Sequence, residues 1–183
     1  MQAFALAPAI AMLRQSVYPS VEGYWRADAA ITSFLDKHVS GFFVGSTSCG
    51  PAALSALFLP DAVAEATREF KTPWMNRRMM ESSLRQIGVE FKKHPRQLPP
   101  QGVALLQRTY TPAKRTFRGS GLTETHWVAV IDDFIFDVNW PKWLPSAHWR
   151  SLVGDPLARH HKADSWEVLT GYEILPPSCG GQK

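Results

Sequence analysis

Residues 126–140 read His-Trp-Val-Ala-Val-Ile-Asp-Asp-Phe-Ile-Phe-Asp-Val-Asn-Trp. Two runs of β-branched and aromatic residues, His126 to Ile131 and Phe134 to Val138, flank a pair of acidic residues, which predicts an antiparallel hairpin turning at Asp132-Asp133. With a two-residue turn, Ile131 pairs with Phe134, Val128 falls opposite Asp137 and His126 opposite Asn139. Side chains two apart share one face of a pleated strand, so His126, Asp137 and Asn139 project together. A three-residue turn would break that parity, so the reading of these polar residues rests on register.

Moving outward, Gly102 to Tyr110 (GVALLQRTY) predicts a buried strand before the hairpin, and Ser165 to Leu175 (SWEVLTGYEIL) another after it. Upstream of the proline cluster Pro95 to Pro100 the period changes. Met80, Leu84 and Ile87 stand at i, i+4, i+7 and end at Gly88, the usual left-handed helix cap. Asp61 follows Pro60, with Val63, Thr67 and Phe70 on one side; residues 26–38 place Ala29, Ile31, Phe34 and Leu35 at helical spacing. Between these lies GSTSCGPAALSALFLP, residues 45–60. Ser48 suits an N-cap, Pro51 suits a first turn, and Ala52 to Leu59 is apolar on all sides until Pro60. That predicts a buried central helix with Cys49 at its start. Helices first and an antiparallel sheet afterwards make an α+β domain.

The 183 residues are 45% hydrophobic and 20% charged, which fits one folded domain over 1–183 with a disordered tail at about 177–183. No run reaches the roughly 18 apolar residues of a spanning helix, and no basic residue precedes the apolar start Met1 to Leu13. Neither a membrane anchor nor a signal peptide is expected, and Cys49 and Cys179 are read as thiols in a reducing, cytoplasmic setting. Delivery by a phage or a secretion system stays open. Residues 68–118 carry 12 Lys or Arg against 3 Asp or Glu. Without a zinc-finger or RNA-binding motif, this reads as a solvated basic face, not a nucleic-acid site.

A nucleophilic cysteine needs a stabilised thiolate, an imidazole to exchange protons and a polar group to orient that imidazole. Cys49, His126 and Asp137 fit these roles, with Asn139 as alternative or supporting orienter. The backbone N–H of Cys49, and more weakly Ser48, would face an oxyanion. Each has a plainer reading: a buried small hydrophobe for Cys49, a satisfied sheet residue for His126, turn residues for Asp137 and Asn139. His148, His160 and His161 lack metal-ligand spacing, and no metal or cofactor is expected.

Cys49-Gly-Pro-Ala-Ala-Leu opening a helix, followed by a strand starting His126-Trp-Val-Ala-Val and an acidic residue in the next strand, resembles the papain-like cysteine peptidase superfamily. Within it the chain is most similar to the peptidases that process bacteriocins after a double glycine. Asp137-Val-Asn139-Trp140 resembles the acidic-x-Asn-Trp ending of CHAP-type amidases. The resemblance spans about residues 43–140. It implies a papain-like fold and roles of nucleophile for Cys49, general acid/base for His126 and orienter for Asp137. The chain departs from the pattern at Phe43, where relatives carry a glutamine oxyanion donor, with Ser46 and Ser48 as possible replacements, and in the short spacing from His126 to Asp137.

The implied chemistry is attack of a thiolate on an amide, as in a cysteine protease, isopeptidase or amidase, with a protein or peptide as substrate. A deamidase or acyltransferase shares the route, and an inactive fold serving as a binding or virion component is the rival. Trp127, Trp140 and Arg118 are candidate substrate contacts. Arg118 lies in the basic, glycine-containing loop from Thr111 to Thr125, read as mobile and facing an acidic substrate segment. The tail carries Gly180-Gly181, a potential self-processing point. Oligomeric state is not legible.

Overall fold

A computed structural model of the chain describes residues 30–36, 48–70, 72, 74–111 and 125–176. Among these residues there are six strands, β1 (Phe91–Pro95), β2 (Gln101–Thr109), β3 (Thr125–Ile131), β4 (Phe134–Asp137), β5 (Trp140–Pro145) and β6 (Ser165–Ile174). They form one sheet in the order β1-β6-β2-β3-β4-β5, with every neighbouring pair antiparallel. Ile131 pairs with Phe134, Val130 with Ile135 and Ala129 with Phe136, so the expected two-residue turn is present, with Asp132 taking the left-handed φ of 57°. Beyond Phe136 the register departs from expectation. β4 ends at Asp137, which pairs with Trp140 across an irregularity, and Asn139 stands in the tight turn to β5, not in a strand opposite His126.

Strands β1 and β5 were not foreseen because prolines interrupt their pattern: Pro95 in β1, Pro141 and Pro145 in β5. Both lie at sheet edges, where a missing N–H costs no ladder bond.

The helices are α1 (residues 30–36), α2 (Cys49–Ser55), α3 (Pro60–Thr67), α4 (Arg77–Ile87), α5 (Ser146–Trp149) and α6 (Asp155–His160), with a π-helical turn, Arg150–Gly154, between the last two. The helical periodicities hold where they are longest: Ile31 and Leu35 of α1 and Met80 and Leu84 of α4 are fully buried, and Gly88 closes α4 at φ 83°. Two boundaries differ. α2 stops at Ser55, and Pro60 opens α3 as its first residue, so Phe70 falls beyond the helix it was grouped with. Ser48 occupies the N-cap position of α2, but its side chain makes no capping hydrogen bond. Residues 146–160 have no clear period, which is why α5, the π turn and α6 were not read from sequence.

Side-chain alternation divides the interior between the two faces of the sheet. Val103, Leu105, Trp127, Ala129, Ile131, Phe134, Phe136 and Tyr172 pack with Ile31, Leu54, Leu57 and Leu84 on what we call the near face. Ala104, Leu106, Val128, Val130 and Ile135 pack with Trp149, Val153 and Ala158 on the far face. An irregularity in the β2–β6 pairing, between Leu105 and Leu106, lets β6 change sides: Tyr172 and Ile174 face the near core, Val168 and Trp166 the far one. The described residues thus form an α+β fold with helices on both faces, and none of their helices is long and apolar enough to cross a membrane. The loop 112–124 and the tail 177–183 lie outside the described residues.

Candidate active site

Cys49 is the first residue of α2 and a free, half-buried thiol. α2 lies across β3 and β4 on the near face. Its entry is fixed by close contact: a Cβ on Gly50 would stand 2.6 Å from Met75 Cβ and 2.8 Å from Met75 Sδ, so only glycine fits. Met75 is held in turn by Trp127, whose indole N–H donates to its carbonyl at 2.7 Å. The backbone N–H of the same Trp127 donates to the Cys49 sulfur. The Cys-Gly pair at the helix start is therefore locked against the beginning of β3, which is where His126 stands.

His126 shares the far face with Val128 and Val130, and its ring lies 5.9 Å from that of Trp166. Its Nε2 is 2.9 Å from Asp137 Oδ1. With Nε2 donating to the carboxylate, Nδ1 is the nitrogen left to face Cys49, with which the ring shares a hydrogen bond. Asp137 is buried, and donors surround it: Asn139 N–H at 2.8 Å and Asn139 Nδ2 at 3.0 Å reach Oδ1, and the Trp149 indole N–H reaches Oδ2 at 2.8 Å. The 3.5 Å approach of Asn139 Nδ2 to His126 Nε2 brings two donors together, so it is not a hydrogen bond. Asp137 orients the imidazole, and Asn139 steadies Asp137.

The electrostatics follow from burial opposed by charge. Burial pushes the Cys49 thiol up, but the hydrogen bond and charge of His126, with the Trp127 N–H, bring it below the ordinary 9.0, while Asp137 works weakly against them. Burial alone would lower His126; the charge and hydrogen bond of Asp137, then those of Cys49, raise it to about 10. Asp137 is likewise pushed up by burial and brought below the ordinary carboxylate value by His126, the Asn139 N–H and the Trp149 indole. The geometry can hold a thiolate, an imidazolium and a carboxylate in a row.

The remaining sequence candidates divide. Trp127 is 1% exposed, with its ring in the near core, so it holds the site together and is not a substrate contact. Trp140 is 44% exposed immediately after Asn139. Ser48 lines a small hollow with Pro51, Phe70, Trp74 and Met75 beside the start of α2. Phe43, Ser46 and Arg118 lie outside the described residues. His160 and His161 stack edge-on at the end of α6. Sequence reasoning missed three residues that build the site: Met75, Trp149 and Trp166. Nothing in the local sequence pattern around any of the three marks it as part of a site. No protein-family model, curated protein or solved structure matches the chain.

Proposed function

We propose that the protein is a thiol hydrolase that cleaves an amide bond of a protein or peptide through Cys49, His126 and Asp137. The observation that carries the reading is the chain of contacts from a helix-start thiol through His126 to a buried carboxylate 2.9 Å from Nε2. In this reading the Cys49 thiolate attacks the amide carbonyl, and the carbonyl π pair moves to oxygen, which faces the backbone N–H of Cys49. As the tetrahedral intermediate collapses, the C–N bond breaks and the leaving nitrogen takes the proton from His126 Nδ1. Water then gives a proton to His126, attacks the thioester and expels the Cys49 thiolate. Asp137 stays ionised throughout and holds the ring's tautomer.

The order of elements, a helix-start cysteine ahead of a histidine strand and an acidic strand end, supports a papain-like reading of the fold. Transfer to an amine in place of water would make the same centre an acyltransferase. A setting inside the cell fits an unpaired thiol.

The test is iodoacetamide alkylation of Cys49 and Cys179 across pH 5–9, read by peptide mass spectrometry. Cys49, held below the ordinary thiol value, is expected to react fast at neutral pH and below, where Cys179 slows about tenfold per unit. Equal rates for the two would overturn the reading.

A further inference from the structure

Asp137 Oδ1 meets His126 Nε2, the Asn139 N–H and Asn139 Nδ2, while Oδ2 faces the indole N–H of Trp149 at 2.8 Å. An indole N–H donates and cannot accept, and each group on Oδ1 also donates while His126 keeps its Nε2 proton. A proton on either carboxyl oxygen would therefore point at a donor. At 1% exposure Asp137 has no open surface toward which to turn it. The titratable groups facing Asp137 are His126 from β3 and, past that ring, Cys49 from α2; Asn139 and Trp149 present neutral N–H groups from the turn after β4 and from α5.

The indole is itself held. Trp149 ends α5, and the π-helical turn that follows returns Gly154 to the ring edge, where a Cβ would stand 3.1 Å from the ring carbons. The Gly154 carbonyl accepts from the Trp166 indole N–H at 2.9 Å, and the Trp166 ring lies 5.9 Å from that of His126. Asp137, His126, Trp166, Gly154 and Trp149 thus close a circuit of contacts on the far side of the sheet. On its open side the Trp149 ring lines a cavity of about 510 Å³, so packing does not fix it from that direction and the bond to Oδ2 does.

We propose that Trp149 is a positioning residue that admits Asp137 only as a carboxylate and pins it with Oδ1 on His126 Nε2. The hold on Asp137 stands by itself. Its consequence for Cys49 rests on the thiol-hydrolase reading. A double substitution exposes the role, because an amide at 137 has one oxygen for two sets of donors. With that oxygen on the Oδ1 side, where three donors favour it, the amide NH2 meets the Trp149 N–H, and two donors oppose each other in a buried site. Asp137→Asn is thus harmful in part because the indole is present, and removing the indole N–H should relieve that part.

The experiment compares the full chain as wild type, Trp149→Phe, Asp137→Asn and the double variant. Two readouts are taken: the denaturant midpoint, and iodoacetamide alkylation of Cys49 near neutral pH with Cys179 as internal reference. Trp149→Phe is expected to slow Cys49 about fivefold in the wild-type background and to speed it about threefold or more in the Asp137→Asn background. The midpoint lost on Asp137→Asn should at least halve once Trp149→Phe is present. Should Trp149→Phe not fold, replacing Trp149 with 3-benzothienylalanine, which keeps the bicyclic ring and puts sulfur in place of the N–H, gives the same four-way comparison.

Losses that simply add in both readouts would overturn the proposal, and Trp149 would then serve packing alone. Midpoints that couple as expected, with Cys49 alkylation unmoved by Trp149→Phe, would uphold the hold on Asp137 and overturn its consequence for the thiol. A wild-type Cys49 that alkylates no faster than Cys179 would instead remove the hydrolase reading, and the midpoints would still decide whether Trp149 holds Asp137.

Discussion

On the near face, α2, α3 and α4 bury Leu54, Val63, Met80 and Leu84 against Trp127 and Phe134, apolar surface against apolar surface. On the far face, two short helices and a π turn cover the sheet, the indoles of Trp149 and Trp166 spend their N–H groups on Asp137 and Gly154, and a 510 Å³ cavity is left between layers. Cys49 arrives from the first face. His126 and Asp137 belong to the second. A tightly packed helix is suited to fixing a thiol, because a helix start cannot shift without disturbing its whole contact surface. A buried carboxylate needs donors, and only a polar-lined layer offers them. The Cys49, His126 and Asp137 cluster therefore sits at the end of β3, where side chains from both layers meet.

The sharpest way to break this division of labour is to remove the group that joins the layers. His126→Ala removes the hydrogen bond and the charge that do most to hold the Cys49 thiol down, and leaves only the Trp127 N–H against the burial that pushes it up. Alkylation of Cys49 near pH 7 is expected to fall about 100-fold, with the rate recovering only in alkali. A variant that alkylates as fast as wild type would show that the thiol draws its reactivity from the near face alone. Within the far face, Asp137→Asn should cost more than Asn139→Ala. Without the carboxylate, His126 loses the charge that raises it to about 10, and burial then favours the neutral ring. Amide cleavage is expected to drop about 100-fold for Asp137→Asn and only a few-fold for Asn139→Ala, which removes one of the donors to Oδ1. The reverse ranking would restore Asn139 as the orienter.

The same two faces explain what was legible in the chain. Long periodic stretches such as Met80 to Gly88, and the hairpin around Asp132-Asp133, fold as their patterns require, because burying a helix stripe or a strand face has one solution. That was enough to bring Cys49, His126 and Asp137 into one argument. Asn139 was misplaced because two-residue pairing was extended past Phe136, where the chain instead turns into a proline-bearing edge strand. Trp149, Trp166 and Met75 were invisible for a different reason. Each acts through one hydrogen bond or ring contact across layers distant in sequence, and no local period encodes such a contact.

Two glycines test the comparison at its smallest scale, because each faces a group that supports the site from one side of the sheet. A Cβ at Gly50 meets Met75 Cβ at 2.6 Å, an atom next to the backbone whose neighbour, the Met75 carbonyl, is held by Trp127. Relief requires the segment around Met75 to move. Gly50→Ala should therefore lose about 1–3 kcal/mol in denaturant unfolding, despite alanine's better helix propensity, and slow Cys49 alkylation as well. A Cβ at Gly154 meets the edge of the Trp149 ring at 3.1 Å, and that ring borders open space. A shift of a few tenths of an ångström relieves it. Gly154→Ala is expected to change stability by no more than about 1 kcal/mol and to leave the indole on Asp137, so that alkylation stays within about twofold of wild type. Should Gly154→Ala prove the more damaging of the two, the far face would be the rigid layer and the near face the one that yields.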